Sequence, residues 1–244
     1  MRFRPTLWPT VFTIPALLVL LGLGTWQLDR LAWKTDLIAG IQSRIGAAPA
    51  PLDEVLAEAG DDLADVQYRR VSLTGAFRHD AEMYLAARSM NGNPGYHVVT
   101  PFEIAGGRAV LVDRGWVPLD KKDPASRAEG QGAGPVTLDG VIRVPRPAKS
   151  WLQPDNEPQN NMWFWVDLPA MAAHAGAGDI APVYVEAGPA ENPGGFPIGG
   201  QTRVNLPNDH LQYAITWYAL AVILAVIYVI YHRRPREAEG GAGA

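Results

Sequence analysis

Cysteine is absent from all 244 residues, so neither disulfides nor thiolate metal sites are available to this chain. The absence fits an oxidising compartment. The five methionines are scattered, which argues against a thioether copper carrier. There is no excess of positive charge either: 21 Lys and Arg face 25 Asp and Glu, a formal net charge of −4. Residues 30–209 hold 16 basic and 22 acidic side chains, with no basic patch of the kind nucleic-acid binding needs. Serine nucleophile elbows, Walker loops and dinucleotide fingerprints are missing. The five histidines form no i,i+4 pair, which argues against a zinc site, and no nucleophile–base constellation marks an enzyme.

The most informative absence is local. No charged residue interrupts Leu7 to Leu28, and none interrupts Leu211 to Tyr231. At 1.5 Å rise per residue a 21-residue helix reaches about 31 Å, enough for a hydrocarbon core of about 30 Å. We therefore expect transmembrane helices at 7–28 and 210–231. A secretory signal peptide is the rival reading of the first run, since Arg2 and Arg4 precede it. The run is long for a signal peptide, however, and the bulky, charged TWQLDRLAWK follows it instead of a small-residue cleavage site. Pro9 suits a helix start, and Pro15 is expected to bend the helix. Gly22-x-Gly24 reads as an allowance for close helix packing. Arg2 and Arg4 before the first run, with Arg233, Arg234 and Arg236 after the second, place both termini (1–6 and 232–244) in the cytoplasm by the positive-inside rule. Residues 29–209 then form one exported domain. The tail EAEGGAGA is expected to be disordered.

Within 29–209, Asp29 to Gln42 continues the first helix, and Leu52 to Ala59 reads as a short amphipathic helix after Pro49 and Pro51. Alternation then predicts strands. Tyr68 to Phe77 places Val71, Leu73 and Phe77 on one face, and Glu82 to Ala87 is its expected hairpin partner across the turn at Arg78 to Asp80. Gly95 to Ile104 follows the turn NGNPG, and Val110 to Pro118 follows Ala-Gly-Gly. Val136 to Val144, residues 163–166 and residues 183–187 complete the set, with a short helix at Asp167 to Ala175. Three stretches rich in Gly and Pro, 121–135, 146–159 and 188–200, read as surface loops. The expected fold is an α+β membrane protein: two transmembrane helices bracketing one mainly antiparallel β domain with short helices.

One histidine stands apart. His79, His97, His174 and His232 read as surface or packed imidazoles. His210 opens the second apolar run, in PNDHLQYAITW. Asp209-x-x-Gln212 has the form of a capping box, which makes His210 the first helical residue. Tyr213, Ala214 and Trp217 follow at i+3, i+4 and i+7 on the same face. A nitrogen ligand, a small residue and an aromatic plate together suit a flat macrocycle. The residues alone leave the plainer reading ahead: an interfacial histidine that caps a helix beside the aromatic residues common at membrane surfaces. Arg114, between Asp113 and Gly115-Trp116, can meet an anionic group such as a propionate, although a structural ion pair is the stronger reading.

Five segments in order, LGTWQLDRLAWK (23–34), YRRVSLTGAF (68–77), GYHVVTPF (95–102), VLVDRGWVP (110–118) and NDHLQYAITWYALA (208–221), resemble the Surfeit locus protein 1 family, and the likeness covers almost the whole chain. The family assists assembly of haem–copper cytochrome c oxidase. The resemblance implies a membrane-anchored assembly factor without catalytic activity that binds haem a as transient cargo. It implies His210 as candidate axial iron ligand, with the accompanying tryptophan at Trp217; Tyr213 is a candidate cofactor-binding residue from its helical spacing. The expected partners are cytochrome c oxidase subunit I, a haem a synthase and the lipid bilayer, with no nucleic acid. The alternative is a scaffold that stabilises subunit I without touching haem. No Arg-rich, Ser-rich transit peptide precedes the first run, so the expected location is a bacterial inner membrane with residues 29–209 in the periplasm.

Overall fold

The computed structural model describes residues 2–3, 5–60, 62–202, 204 and 206–234. The EAEGGAGA tail lies outside the described residues, as do Arg4 and Arg236 of the orientation argument. The chain divides into two compact units, Met1–Gly40 with Asn205–Ala244, and Ile41–Val204.

The first unit is a helix pair. Helix α1, Leu7–Gly46, runs 40 residues, as the continuation past Leu28 predicted, and carries Pro15 within it. Helix α4 spans His210–His232. Only 6% and 11% of their most apolar windows are buried, at mean hydropathies of 1.9 and 2.2. A core helix of a soluble protein would hide that surface, so the two helices suit a membrane protein. Polar rungs tie them together in antiparallel order: the Thr10 and Tyr228 hydroxyls lie 2.6 Å apart, and those of Thr25 and Tyr218 lie 3.1 Å apart. Gly24 permits the approach, because a Cβ there would come within 2.8 Å of the Tyr218 ring. Gly22 faces open space, so only one of the two glycines serves packing. Beyond the helices, Arg2–Phe3 pairs antiparallel with Arg233–Arg234.

The second unit is built on one sheet. Its strands are β1 (Arg70–Phe77), β2 (Met83–Met90), β3 (Asn93–Ile104), β4 (Ala109–Pro118), β5 (Val136–Arg143), β6 (Met162–Trp163) and β7 (Ile180–Ala187). A two-residue strand, Ala50–Pro51, adds parallel to β1. The order across the sheet is β1-β5-β7-β4-β3-β2-β6, and a further pairing of Gly75–Phe77 with Phe102–Ile104 joins β1 back to β3. That pairing closes a five-stranded barrel and removes the edges that an open sheet would expose.

The expected hairpin between β1 and the Glu82–Ala87 strand does not form. β2 pairs instead with β3 and β6. Both edges of β1 are taken, one by β5 and the other by Ala50–Pro51 and the end of β3. The tight hairpin lies one strand later, where Asn91 (φ 51°) and Gly92 (φ 82°) join β2 to β3. Two residues of positive φ suit the right-handed twist of the flanking strands. The expected strand at 163–166 contracts to Met162–Trp163.

β4 is buried on both faces. Val110 and Val112 join Val71, Leu73, Phe102, Ile142 and Val185 in the main core, to which helix α2 (Leu52–Ala59) adds Leu52 and Val55. Leu111 points the other way, into a second cluster with Leu85, Val99 and Trp163. Helix α3 (Leu168–Ala175) covers this cluster with Leu168 and Met171. The Asp167 side chain caps α3 by accepting from the Ala170 amide at 3.1 Å.

The loop at 121–135 is not wholly superficial. Arg127 and Gly130 within it are buried, and Arg127 reaches Glu82 through two hydrogen bonds, the shorter 2.5 Å. Arg114 donates to the same carboxylate at 3.0 Å and Gln131 at 3.0 Å. A β-bulge places Arg114 there: Val98 pairs with Gly115 and Val99 with Asp113, leaving Arg114 as the extra residue. The structural ion-pair reading of Arg114 is the one observed. Burial pushes the Glu82 carboxyl up, but hydrogen bonds from His79, Arg127 and Gln131 and the charge of Arg127 outweigh it and hold the pKa at about 2.

Candidate functional site

His210 is the first residue of α4, as expected, but the capping box is not made. Asp209 has φ −94° and ψ 8° and gives no side-chain cap bond. An N-cap residue needs extended backbone to turn its carboxylate onto the next amides, and a ψ near zero points it elsewhere. The helix-cap alternative for His210 therefore loses its capping partner.

The imidazole is engaged across the helix pair instead. His210 Nδ1 lies 2.7 Å from Oε1 of Gln27 on α1. Gln27 is only 9% exposed, and a buried carboxamide in an apolar segment needs a polar partner. A carbonyl oxygen can only accept, so Nδ1 must carry the proton. In the neutral ring Nε2 then keeps its lone pair. Metal-binding imidazoles are oriented in this way, the second nitrogen donating to an oxygen that fixes tautomer and ring plane. Close by, the Asn208 amide donates to Thr35 Oγ1 at 3.3 Å, a further rung between the segments that flank the site.

The other expected site residues share this end of α4. His210 and Trp217 are half-buried, Tyr213 is 56% exposed and Ala214 is buried. At 100° per residue, Ala214 and Ala221 follow His210 onto the face turned to α1, while Tyr213 lies on the open flank. Small residues on the packed side bring α4 close to α1; Trp217, seven residues on from His210, falls on the same face and is half-buried, and Tyr213 is left toward the outside.

Of the remaining histidines, expected as surface or packed imidazoles, His174 is exposed, His79 and His97 are half-buried and His232 is buried. His232 Nδ1 donates to the Tyr228 carbonyl at 2.8 Å, and its Nε2 faces Thr6 Oγ1 at 2.9 Å. His79 sits against Arg114 and Gly132, His97 pairs with Asp113 at 2.8 Å, and His174 meets the edge of Trp163. Among the described residues no three His, Asp or Glu side chains converge as a metal cluster.

Gln27 is the partner that sequence reasoning missed. Its signal was present: it is the one carboxamide in the charge-free run of α1, two residues before the first charge.

The SURF1 family profile matches residues 14–222. A SURF1-like protein of Monosiga brevicollis is 38% identical over 234 residues, covering 91% of this chain and 87% of that protein. Surfeit locus protein 1 of Mus musculus and of Homo sapiens are each 39% identical, over 222 and 223 residues. These alignments cover 85% of this chain and 70% and 72% of the relatives.

Proposed function

The chain belongs to the SURF1 family, and from that premise we propose that it is a membrane-anchored, non-catalytic assembly factor for haem–copper cytochrome c oxidase. In this reading it holds haem a at the outer end of α4 and assists its delivery into oxidase subunit I. Both termini are cytoplasmic, and the β domain stands on the periplasmic side of a bacterial inner membrane.

The observation that carries the reading is the bond between Gln27 and His210. Three features fit a haem cargo. Nε2 of His210 is left as a free lone pair on a ring whose plane is fixed. Tyr213 supplies exposed aromatic surface, and half-buried Trp217 adds a second ring about two turns along the His210 face. The exposed apolar flanks of both helices suit a lipid-like tail that stays in the bilayer. His210 would hold the iron axially, and Trp217 would lie beside the macrocycle. A single protein ligand would suit a carrier that must release, since each 1.4 kcal/mol of extra affinity slows dissociation about tenfold.

Co-expression with a haem a synthase, followed by purification in detergent, tests the reading. Haem a absorption in the purified chain is the expected result, and a haem-free chain refutes it.

A second reading, a scaffold that stabilises subunit I without touching haem, is favoured by an exposed turn of the β domain. Trp151 and Leu152 there are 88% and 73% exposed, unusual for large apolar side chains. Retention of subunit I by a His210→Ala variant, with normal haem a in the oxidase, would select it.

A further inference from the structure

The β unit carries a cleft that the haem reading does not use. It measures about 510 Å³ and lies on the outer face of the sheet. Its floor is set by strand alternation: Val183 and Val185 of β7 enter the core, so Tyr184 and Glu186 face the cleft, beside His97 of β3 and Asp113 of β4. Arg143 at the end of β5, the residues that follow it, and the segment after β6 with Trp165 enclose it.

Four observations mark it as a built site. First, three buried donor nitrogens at its wall, Arg88 Nε, Arg143 Nε and Trp165 Nε1, have no hydrogen-bond partner among the described residues. One buried acceptor, Glu186 Oε2, is likewise unmatched. A buried unmatched donor costs about 1–3 kcal/mol, so three at one cleft call for an acceptor.

Second, the charges do not cancel. Asp113 is held by His97 at 2.8 Å, and Glu186 lies 3.6 Å from Arg143. Arg88 and Arg146 form no ion pair among the described residues. The cleft is therefore net positive. Burial pushes the Glu186 carboxyl above the usual carboxylate range, which softens its opposition to an anion. Burial also pushes Tyr184 up to about 12, so its hydroxyl stays a donor.

Third, the wall holds two strained residues. Ala87 has φ 55° and Tyr68 φ 71°, left-handed values at which a Cβ is unfavourable. Ala87 stands in a bulge of β2, between paired Leu85 and Arg88, which resets the direction of Arg88. Fourth, the Tyr68 ring lies 4.7 Å from the Arg143 guanidinium, holding that side chain in place.

We propose that this cleft binds a small oxyanion, a carboxylate or phosphate group, between Arg88, Arg143 and the Trp165 indole. Two charged donors and one neutral donor match the oxygens of such a group, and Tyr184 supplies a hydroxyl. The size suits a small molecule or the head of a larger one.

The test is calorimetric titration of the purified full chain in detergent with inorganic phosphate, succinate and dihexanoyl phosphatidic acid, with succinamide as the neutral control. Saturable binding of an oxyanion and none of succinamide is expected. Tighter binding of the phosphatidic acid than of phosphate assigns the group to a lipid headgroup, and equal or weaker binding assigns it to a free anion. Arg88→Gln should weaken binding by more than tenfold, and Trp165→Phe, which removes one neutral donor, by about two- to tenfold. Circular dichroism of both variants checks that they fold. No saturable binding of any oxyanion up to 10-fold above common millimolar levels, or wild-type affinity in both folded variants, overturns the proposal.

Discussion

Replacing Gln27 by Leu removes the oxygen that orients His210 while keeping the size and apolar fit of the side chain. The bond lost is short, 2.7 Å, and its acceptor is buried at 9% exposure, so no bulk water replaces it freely. A neutral hydrogen bond of this kind contributes about 1 kcal/mol to stability. Its larger effect falls on the ligand. With Nδ1 unpartnered the ring can rotate, and the proton can move to Nε2, which takes away the lone pair that iron needs. Loss of such an outer partner typically weakens metal binding about 10–100-fold, or about 1.4–2.8 kcal/mol. Haem a titrated into the purified chain and followed by Soret absorbance gives the affinity, and thermal melting gives the stability. The expected outcome for Gln27→Leu is a dissociation constant raised at least tenfold with a small loss of stability. Gln27→Glu keeps an acceptor and should bind as tightly as the wild type. Wild-type affinity and an unchanged spectrum in Gln27→Leu would refute the orienting role.

Other perturbations follow from the packing. Gly24→Leu should lower the melting temperature in detergent, since even a Cβ there lies 2.8 Å from the Tyr218 ring and overpacking costs about 1–3 kcal/mol. Gly115→Ala should destabilise by more than about 2 kcal/mol, read by chemical denaturation, because φ is 119° and a Cβ would sit 1.9 Å from the Ile198 carbonyl oxygen. Glu82→Gln should cost about 3–5 kcal/mol by leaving Arg114 and Arg127 buried without their shared anion. The folded pKa of Glu82 is depressed from 4.5 to about 2, so its roughly 3 kcal/mol is present above pH 4.5 and is lost as pH falls toward 2. Acid unfolding should therefore be steeper through that window in the wild type than in Glu82→Gln.

What the sequence made legible is whatever depends on neighbours along the chain. The two charge-free runs became α1 and α4, Pro49 and Pro51 did precede the helix at Leu52–Ala59, and alternation located β1, β3, β4 and β5 within a few residues. Pairing is a different matter. β1 and β2 looked like a hairpin because they are consecutive, yet the edges of β1 are claimed by Val136–Val141 and Phe102–Ile104, far along the chain. Arg127 was hidden for a similar reason. A loop rich in Gly and Pro reads as solvated, and nothing local reveals that Glu82, 45 residues earlier, draws the guanidinium inside. At the site, His210 stood out by its position at the mouth of an apolar run. Its partner Gln27 lies 183 residues away on the other helix, so only the helix pairing brings them together. The capping box failed in the opposite sense: the local pattern was present, but the backbone of Asp209 does not adopt the conformation it requires.

The central claim is that His210 Nε2 is the axial ligand of a haem a cargo. The absorption spectrum of the purified chain co-expressed with a haem a synthase, wild type against His210→Ala, tests it most directly. Haem a bands are expected in the wild type and their loss in the variant, with the β domain still folded by circular dichroism. The same bands, at the same intensity and position, in His210→Ala would contradict it.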